Sequence, residues 1–134
     1  MVGILLLSHG NLAQGLLDSS KLFFGEDIPR IEAICYDIED VDTFDWEIDQ
    51  AINRLDDGSG VLVMCDIYGG TPSNRCAYKL SNKIRVVTGV NLVMLLDALG
   101  RRMNARKIDD MDIKHIMESG KKCIVCLNDI YNQQ

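Results

Sequence analysis

Short, continuous apolar runs alternate with longer stretches of mixed polarity along this chain of 134 residues. Runs without polar interruption are typical of strands that are buried on both faces, as in parallel sheets. The pattern predicts four such strands, at Val2–Ser8, Ile31–Tyr36, Val61–Asp66 and Ile84–Thr88.

The stretches between these strands repeat their apolar residues at helical spacing. A first helix is predicted over residues 12–23, ending at Gly25, and a second over residues 41–55, ending near Gly58. Four later elements are predicted as well: helices that begin at Thr71 and at Asn91, a helix over Met111–Met117, and a late strand at Cys123–Leu127.

Strands that alternate with helices predict an α/β fold, because parallel neighbours need crossover connections and these are right-handed. We expect a single domain over residues 1–134. It would be a three-layer sandwich, with a mostly parallel sheet in strand order 2-1-3-4 and helices on both faces. In this order the connections after the first and third strands leave to opposite faces. A crevice therefore opens at the carboxyl ends of these strands, where ligands bind in such sheets.

The charge of the chain limits its partners. It carries 20 acidic residues against 14 lysines and arginines, a net charge of −6. Nucleic-acid binders need a basic stripe that neutralises phosphates, so no nucleic-acid partner is expected. A basic cluster, Arg101–Arg102 with Arg106–Lys107, lies beside Asp109 and Asp110, and we interpret it as a solvated helix end. An acidic surface would suit a basic protein partner.

The cysteines and the apolar runs indicate a reduced, cytoplasmic protein. Five cysteines form an odd set without the spacing of a disulfide framework. Cys123 and Cys126 make a C-x-x-C, but neither a second pair nor nearby histidines are present to complete a zinc site. No metal and no cofactor are therefore expected. The longest apolar runs are too short to span a bilayer, so no stable membrane insertion is expected.

Two chemically distinctive residues follow neighbouring strands of the predicted sheet. The first strand leads into His9, and the third ends at Asp66. Because both lie at carboxyl ends, we expect the imidazole and the carboxylate to meet. A carboxylate that accepts one ring N–H fixes the tautomer and leaves the other nitrogen as a nucleophile. His9 and Asp66 are therefore the candidate catalytic residues, and His115, the second histidine, is interpreted as structural or surface-exposed.

The segment IYGGTPSN, residues 67–74, follows Asp66 and has the features of an anion-binding turn. Gly69 and Gly70 let the backbone approach a ligand closely. Thr71 is a good N-cap, and the proline after it suits the first helical position. The alternative is that this segment is only a well-capped turn between a strand and a helix.

Beyond the proline, Ser73 and Asn74 are expected to present free backbone N–H groups, and such a helix N-terminus attracts anions. The segment contains no lysine or arginine, and the chain contains no glycine motif of a nucleotide site. A single phosphoryl group carried on His9 therefore fits better than a nucleotide. The candidate phosphoryl-binding residues are Gly10, Gly69, Gly70, Thr71, Ser73 and Asn74.

Three segments together resemble a known family over nearly the whole chain: SHG at residues 8–10, VMCDIYGGTPSN at 63–74 and TGVNLVML at 88–95. The family is the mannose-type IIA component of the bacterial phosphoenolpyruvate-dependent sugar phosphotransferase system. The resemblance implies a phosphotransferase in which His9 accepts a phosphoryl group from the histidine-containing phosphocarrier protein. The group would then pass to a IIB component for sugar uptake. Asp66 and Thr71 match the family's aspartate and hydroxyl positions.

The resemblance also has implications for assembly. Family members are homodimers in which the last strand crosses to the partner's sheet, so Cys123–Leu127 would be an antiparallel edge strand exchanged between subunits. Association with the membrane components IIC and IID is implied as well. The chain departs from the family at Ile67 and Tyr68, where a hydroxyl and a tryptophan are frequent, and it matches poorly over residues 121–134.

Two other classes of function stay open from the sequence. In the first, phosphorylated His9 is read by a transcriptional or kinase partner, or donates to a dihydroxyacetone kinase, and no sugar is transported. In the second, the crevice binds a flavin or another small ligand without covalent chemistry.

Overall fold

The computed structural model describes residues 1–37 and 40–131, which form a four-stranded sheet with helices on both faces. The strands are β1 (Gly3–His9), β2 (Ile31–Tyr36), β3 (Val61–Cys65) and β4 (Ile84–Val87). The helices are α1 (Leu12–Phe24), α2 (Val41–Leu55), α3 (Thr71–Cys76), α4 (Leu92–Arg101), α5 (Ile113–Lys122) and α6 (Leu127–Ile130), with a 3₁₀ turn at Ile108–Met111.

The sheet has the order β2-β1-β3-β4, and all three pairings are parallel. This confirms the predicted fold class and strand order. The ends of the strands differ from the prediction by one residue in places. β1 extends through His9, whereas β3 ends at Cys65 and therefore leaves Asp66 in the following loop.

The two faces of β1 explain why its sequence is apolar without interruption. Ile4 and Leu6 point into a core formed with α1, α4 and α5, while Leu5 and Leu7 point into a second core formed with α2 and α3. All four side chains are completely buried. Because successive residues of a strand face opposite sides, a strand between two helix layers needs apolar residues at every position.

The late strand predicted at Cys123–Leu127 does not form within this single chain. α5 begins after Asp112 and continues to Lys122, past the predicted helix end at Met117. Residues 123–126 belong to no strand, and α6 covers Leu127–Ile130. An apolar run becomes a strand only where a sheet edge pairs with it, and the described part of the chain supplies no such pairing for these residues.

The interpretation of the basic cluster is wrong for Arg102, which is buried. Its guanidinium donates to the carbonyl oxygens of Val2 at 3.1 Å and Arg30 at 2.9 Å, and also to that of Pro29. Burial, with a smaller effect of the charge on Arg30, lowers the pKa of Arg102 to about 10. The residue joins the end of α4 to the amino-terminal edge of the sheet.

No helix within residues 1–37 and 40–131 combines the length and the apolar character that a membrane-spanning segment requires.

Candidate phosphoryl-transfer site

His9 and Asp66 meet at the carboxyl edge of the sheet, as the sequence predicts. The parallel register pairs Leu7 with Cys65, and the Asp66 N–H donates to the Leu7 carbonyl at 3.1 Å. This places Asp66 beside the end of β1. The His9 ring Nδ1 lies 2.8 Å from Asp66 Oδ2, and the His9 backbone N–H donates to the same oxygen at 2.9 Å.

Both carboxylate oxygens of Asp66 accept hydrogen bonds. In addition to the two contacts of Oδ2, Oδ1 accepts the Ile67 backbone N–H at 2.9 Å. Only 9% of the Asp66 side chain is exposed. Burial alone raises the pKa of Asp66, but the backbone N–H and ring of His9, with the Ile67 N–H, together outweigh it. The pKa of Asp66 therefore lies below its ordinary value, and the group is a carboxylate at neutral pH.

The pairing determines which nitrogen of His9 is available. An ionised carboxylate only accepts hydrogen bonds, so we assign the proton of the neutral ring to Nδ1. Nε2 then carries the free electron pair, and 37% of the His9 side chain is exposed. A Cβ atom placed on Gly70 would lie 3.1 Å from Nε2, so this nitrogen lies close to the start of α3.

Tyr36 forms a further wall of the site that the sequence analysis did not single out. It is the last residue of β2 and pairs in register with His9, and the two ring centroids lie 6.2 Å apart, edge to face. The ring of Phe44 packs against Tyr36, with 4.6 Å between the two ring centroids. The signal in the sequence is positional, since the final residues of neighbouring parallel strands share one edge of the sheet.

The loop between β3 and α3 is closed by its own side chains. The Ser73 hydroxyl donates to the Gly70 carbonyl at 3.1 Å and accepts the Gly69 N–H at 3.0 Å. The Asn74 side chain donates to the Gly69 carbonyl at 3.1 Å. Gly69 has a φ of 86°, a conformation that side chains rarely adopt. Ser73 and Asn74 thus shape the loop with their side chains.

Two details of the predicted anion site are corrected. The N-cap of α3 is Gly70, not Thr71, which is the first helical residue. The Asn74 N–H is not free, because it donates to the Gly70 carbonyl at 2.9 Å. Within the described residues no acceptor meets the N–H groups of Gly70, Thr71 and Ser73. These three amides can therefore receive an anion.

Gly10 contributes a turn to the site. Its φ is 57°, and its N–H donates to the Tyr36 carbonyl at 2.8 Å, so this amide is already occupied. The chain turns here between β1 and α1.

The basic residues in α3 and just after it, Arg75 and Lys79, form ion pairs with α2. Arg75 pairs with Asp45 at 3.1 Å, and Lys79 pairs with Asp45 at 3.0 Å and Asp49 at 2.7 Å, all toward α2. Positive potential at the site therefore comes from backbone N–H groups at the start of α3.

Within residues 1–37 and 40–131 no cluster of three or more His, Cys, Asp or Glu side chains could hold a metal ion.

A substitution of Gly70 tests the placement of the ring. Gly70 has a φ of −83°, which alanine adopts without strain, but the added Cβ would lie 2.6 Å from His9 Cε1. The ring would have to rotate away from Asp66. We expect Gly70→Ala to slow phosphorylation of His9 by about tenfold or more, because transfer depends on near-ångström positioning. Gly15→Ala, where nothing lies within 4 Å of the added atom, is the control and should leave the rate unchanged.

Comparisons with known proteins identify the family of the chain. A family model described as PTS system fructose IIA component matches residues 3–117. The PTS system fructose-specific EIIA component of Bacillus subtilis (strain 168) is 32% identical over 104 residues, which are 76% of this chain and 71% of that protein. The PTS system mannose-specific EIIAB component of Escherichia coli (strain K12) is 26% identical over 130 residues, covering 94% of this chain but 39% of that longer protein.

A solved structure shows the same fold. The crystal structure of phosphotransferase system component EIIA from Streptococcus agalactiae superposes with a TM-score of 0.84 at 26% identity, covering 96% of this chain and 99% of that one. Fold, sequence and family model therefore lead to one assignment. The chain belongs to the family of PTS system fructose IIA components, which act in sugar phosphotransfer.

Proposed function

We propose that this protein is a phosphocarrier that accepts a phosphoryl group on His9 from the histidine-containing phosphocarrier protein and passes it to a IIB component for sugar uptake. The observation that carries the proposal is the orientation of the ring. Asp66 holds Nδ1 at 2.8 Å, Nε2 lies close to Gly70 at the start of α3, and the amides of Thr71 and Ser73 have no acceptor among the described residues.

The transfer balances without a cofactor. The Nε2 electron pair of His9 attacks the phosphorus carried by the donor histidine, and a new N–P bond forms as the donor's N–P bond breaks. The electron pair of the broken bond returns to the donor ring. The His9 ring, protonated at Nδ1, then carries positive charge, which the Asp66 carboxylate stabilises. Because phosphorylated protein side chains lie on both sides of the reaction, the free-energy change is small and positioning dominates the rate.

The phosphoryl oxygens would be held by the amides of Gly70, Thr71 and Ser73, with the Thr71 hydroxyl as an additional donor. A phosphoryl group binds well to such an arrangement because its oxygens accept hydrogen bonds and the helix N-terminus is positive. Ile67 and Tyr68 directly follow Asp66 in the chain, and 52% and 90% of these residues are exposed. We assign to them the contact with the docking carrier and IIB proteins, in the cytoplasm.

The proposal extends to assembly. The segment after α5 exposes apolar side chains, with 77% of Ile124, 54% of Val125 and 62% of Leu127 accessible. Exposed apolar residues at this density suit burial against a second copy, as the family resemblance implies. We therefore include a homodimer in the proposal, together with association with the membrane components IIC and IID.

The direct test is a reconstituted relay. Incubation with phosphoenolpyruvate, enzyme I and the histidine-containing phosphocarrier protein should add about 80 Da, the mass of one phosphoryl group, to the intact protein. The label should be lost in acid, and it should disappear on addition of a IIB component that becomes labelled in turn. A protein that gains no mass would contradict the carrier role. Labelling without transfer to any IIB component would contradict the transport role and favour a regulatory one.

A further inference from the structure

Ser8 is a completely buried polar residue directly before the candidate nucleophile. Its hydroxyl donates to the Gly10 carbonyl at 3.0 Å and accepts the Ala13 backbone N–H at 2.7 Å. A buried hydroxyl is costly unless its hydrogen bonds are satisfied, and here both its donor and its acceptor functions are used. The hydroxyl thus connects the end of β1 to the first turn of α1 across His9.

This contact replaces an ordinary helix cap. The N-cap position of α1 is Asn11, and its side chain makes no capping hydrogen bond. In most helices the N-cap side chain accepts the N–H of the second or third helical residue. Ala13 is the second helical residue, and its N–H is received instead by Ser8, three positions before the cap.

The same contact fixes the turn that carries His9. Gly10 is held on both sides, by its N–H to the Tyr36 carbonyl and by its carbonyl to Ser8. His9 itself is held by its backbone N–H to Asp66. The backbone of residues 8–13 therefore has one defined path, and the direction of the His9 ring follows from it.

We infer that Ser8 is a positioning residue for phosphoryl transfer, whose hydroxyl fixes the turn between β1 and α1 so that His9 Nε2 lies close to Gly70 at the start of α3. The inference rests on the proposed function, since the direction of Nε2 matters only if His9 accepts a phosphoryl group. Ser8 would act through the backbone of Gly10 and Ala13 and would not touch the phosphoryl group itself.

A second buried serine provides a matched control. Ser20 is also completely buried, and its hydroxyl donates to the Leu17 carbonyl at 2.7 Å within α1. Ser20→Ala removes the same hydroxyl group from α1 without altering the turn at His9. A loss that stems only from lower stability should therefore appear in both alanine variants, whereas a loss of positioning should appear only in Ser8→Ala.

The experiment measures the rate of His9 phosphorylation by the phosphorylated histidine-containing carrier at several carrier concentrations. For Ser8→Ala we expect kcat to fall about ten- to a hundredfold with KM for the carrier little changed, because the docking surface is intact and the ring is misdirected. Ser20→Ala should have the kcat of the unaltered protein. Amide hydrogen exchange at Ala13 should become faster in Ser8→Ala, which reports the lost hydrogen bond in the absence of any carrier.

A further pair separates the hydroxyl from the volume of the side chain. Ser8→Thr and Ser8→Val have nearly the same shape, and threonine alone keeps the hydroxyl. We expect the kcat of Ser8→Thr to lie within about threefold of the unaltered protein, and that of Ser8→Val to be as low as that of Ser8→Ala. A difference between the threonine and valine variants would come from the hydroxyl and not from packing.

The outcomes are distinguishable from failure of the proposed function. If the unaltered protein accepts no phosphoryl group, both the function and this inference are overturned. If the unaltered protein is labelled but Ser8→Ala keeps its kcat, if Ser20→Ala loses as much, or if threonine and valine give equal rates, the inference about Ser8 alone is overturned.

Discussion

His9→Ala is expected to abolish phosphorylation by the histidine-containing carrier, with no mass gain above background under conditions that label the unaltered protein completely. The expectation follows from the position of the ring, the only imidazole at the carboxyl edge of the sheet among the described residues. Alanine removes the nucleophile and leaves no neighbouring side chain of comparable reactivity. Intact-protein mass spectrometry at neutral pH measures the outcome, because phosphohistidine is lost in acid.

The second histidine provides the control for this variant. His115 lies on α5, where its Nδ1 is 3.2 Å from Asp97 Oδ2 and also contacts Arg101. It therefore has a carboxylate partner as His9 does, but it lies in the first turn of α5 and not at the carboxyl edge of the sheet. His115→Ala should be phosphorylated at the normal rate. A label that persists in His9→Ala and is lost in His115→Ala would reverse the assignment of the site.

The two variants test whether a carboxylate partner alone makes a histidine accept a phosphoryl group, or whether the sheet edge and the helix start are needed as well. An imidazole beside an aspartate is a frequent pairing on protein surfaces and does not by itself indicate function. At His9 the pairing lies at the edge of a parallel sheet, next to a helix start whose amides are unpaired. We expect only this combination to accept a phosphoryl group.

The fold could be predicted from the sequence because the physical signals are local and repeated. β1 and β3 are buried on both faces, so their sequences are apolar at every position, and the helices between them repeat at helical spacing. Parallel strands joined by right-handed crossovers leave few possible orders. The meeting of His9 and Asp66 follows from that order, since His9 ends β1 and Asp66 directly follows the neighbouring strand β3.

Other features could not be predicted because they depend on contacts distant in sequence. Arg102 belongs to a basic cluster, and nothing local indicates that three carbonyls from the amino-terminal edge of the sheet would surround it. Residues 123–127 are apolar enough for a strand, but a strand also needs an edge to pair with. Ser8 is missed for a similar reason, because its two partners become neighbours only when the chain turns at Gly10.

Asp66→Asn is expected to slow phosphorylation of His9 by about ten-thousandfold, the order of loss seen when a carboxylate that orients a catalytic histidine becomes an amide. The reason lies in how the donors are divided. Oδ2 accepts both the backbone N–H and the ring Nδ1 of His9, and Oδ1 accepts the Ile67 N–H. An amide has one oxygen and one NH₂ group, so it cannot accept at both positions.

Each orientation of the asparagine fails in a definite way. With its oxygen toward His9, the NH₂ group opposes the Ile67 N–H, and the negative charge that stabilises the phosphorylated ring is absent. With its NH₂ group toward His9, it opposes the backbone N–H and donates to Nδ1. The ring proton then moves to Nε2, and the nucleophile is lost.

The effect of pH on stability distinguishes this charge from a purely steric role. The pKa of Asp66 is lower in the folded protein than its ordinary value of 3.8, so ionised Asp66 adds stability that is complete above that pH. The contribution is lost as the pH falls through the folded pKa. Urea unfolding should therefore show Asp66→Asn less stable than the unaltered protein at pH 7, with the difference shrinking in acid.

Asp97→Asn is the matched control, because Asp97 also pairs with a histidine, His115, away from the sheet edge. Asp97→Asn should leave phosphorylation unchanged. Asp66→Asn should lower kcat and nearly preserve KM for the carrier, since Ile67 and Tyr68, the proposed docking residues, remain. If Asp66→Asn were phosphorylated at the normal rate, the proposed role of the Asp66 carboxylate in orienting the His9 ring would be contradicted. The reactivity of Nε2 would then have to arise without the contact between Asp66 and Nδ1.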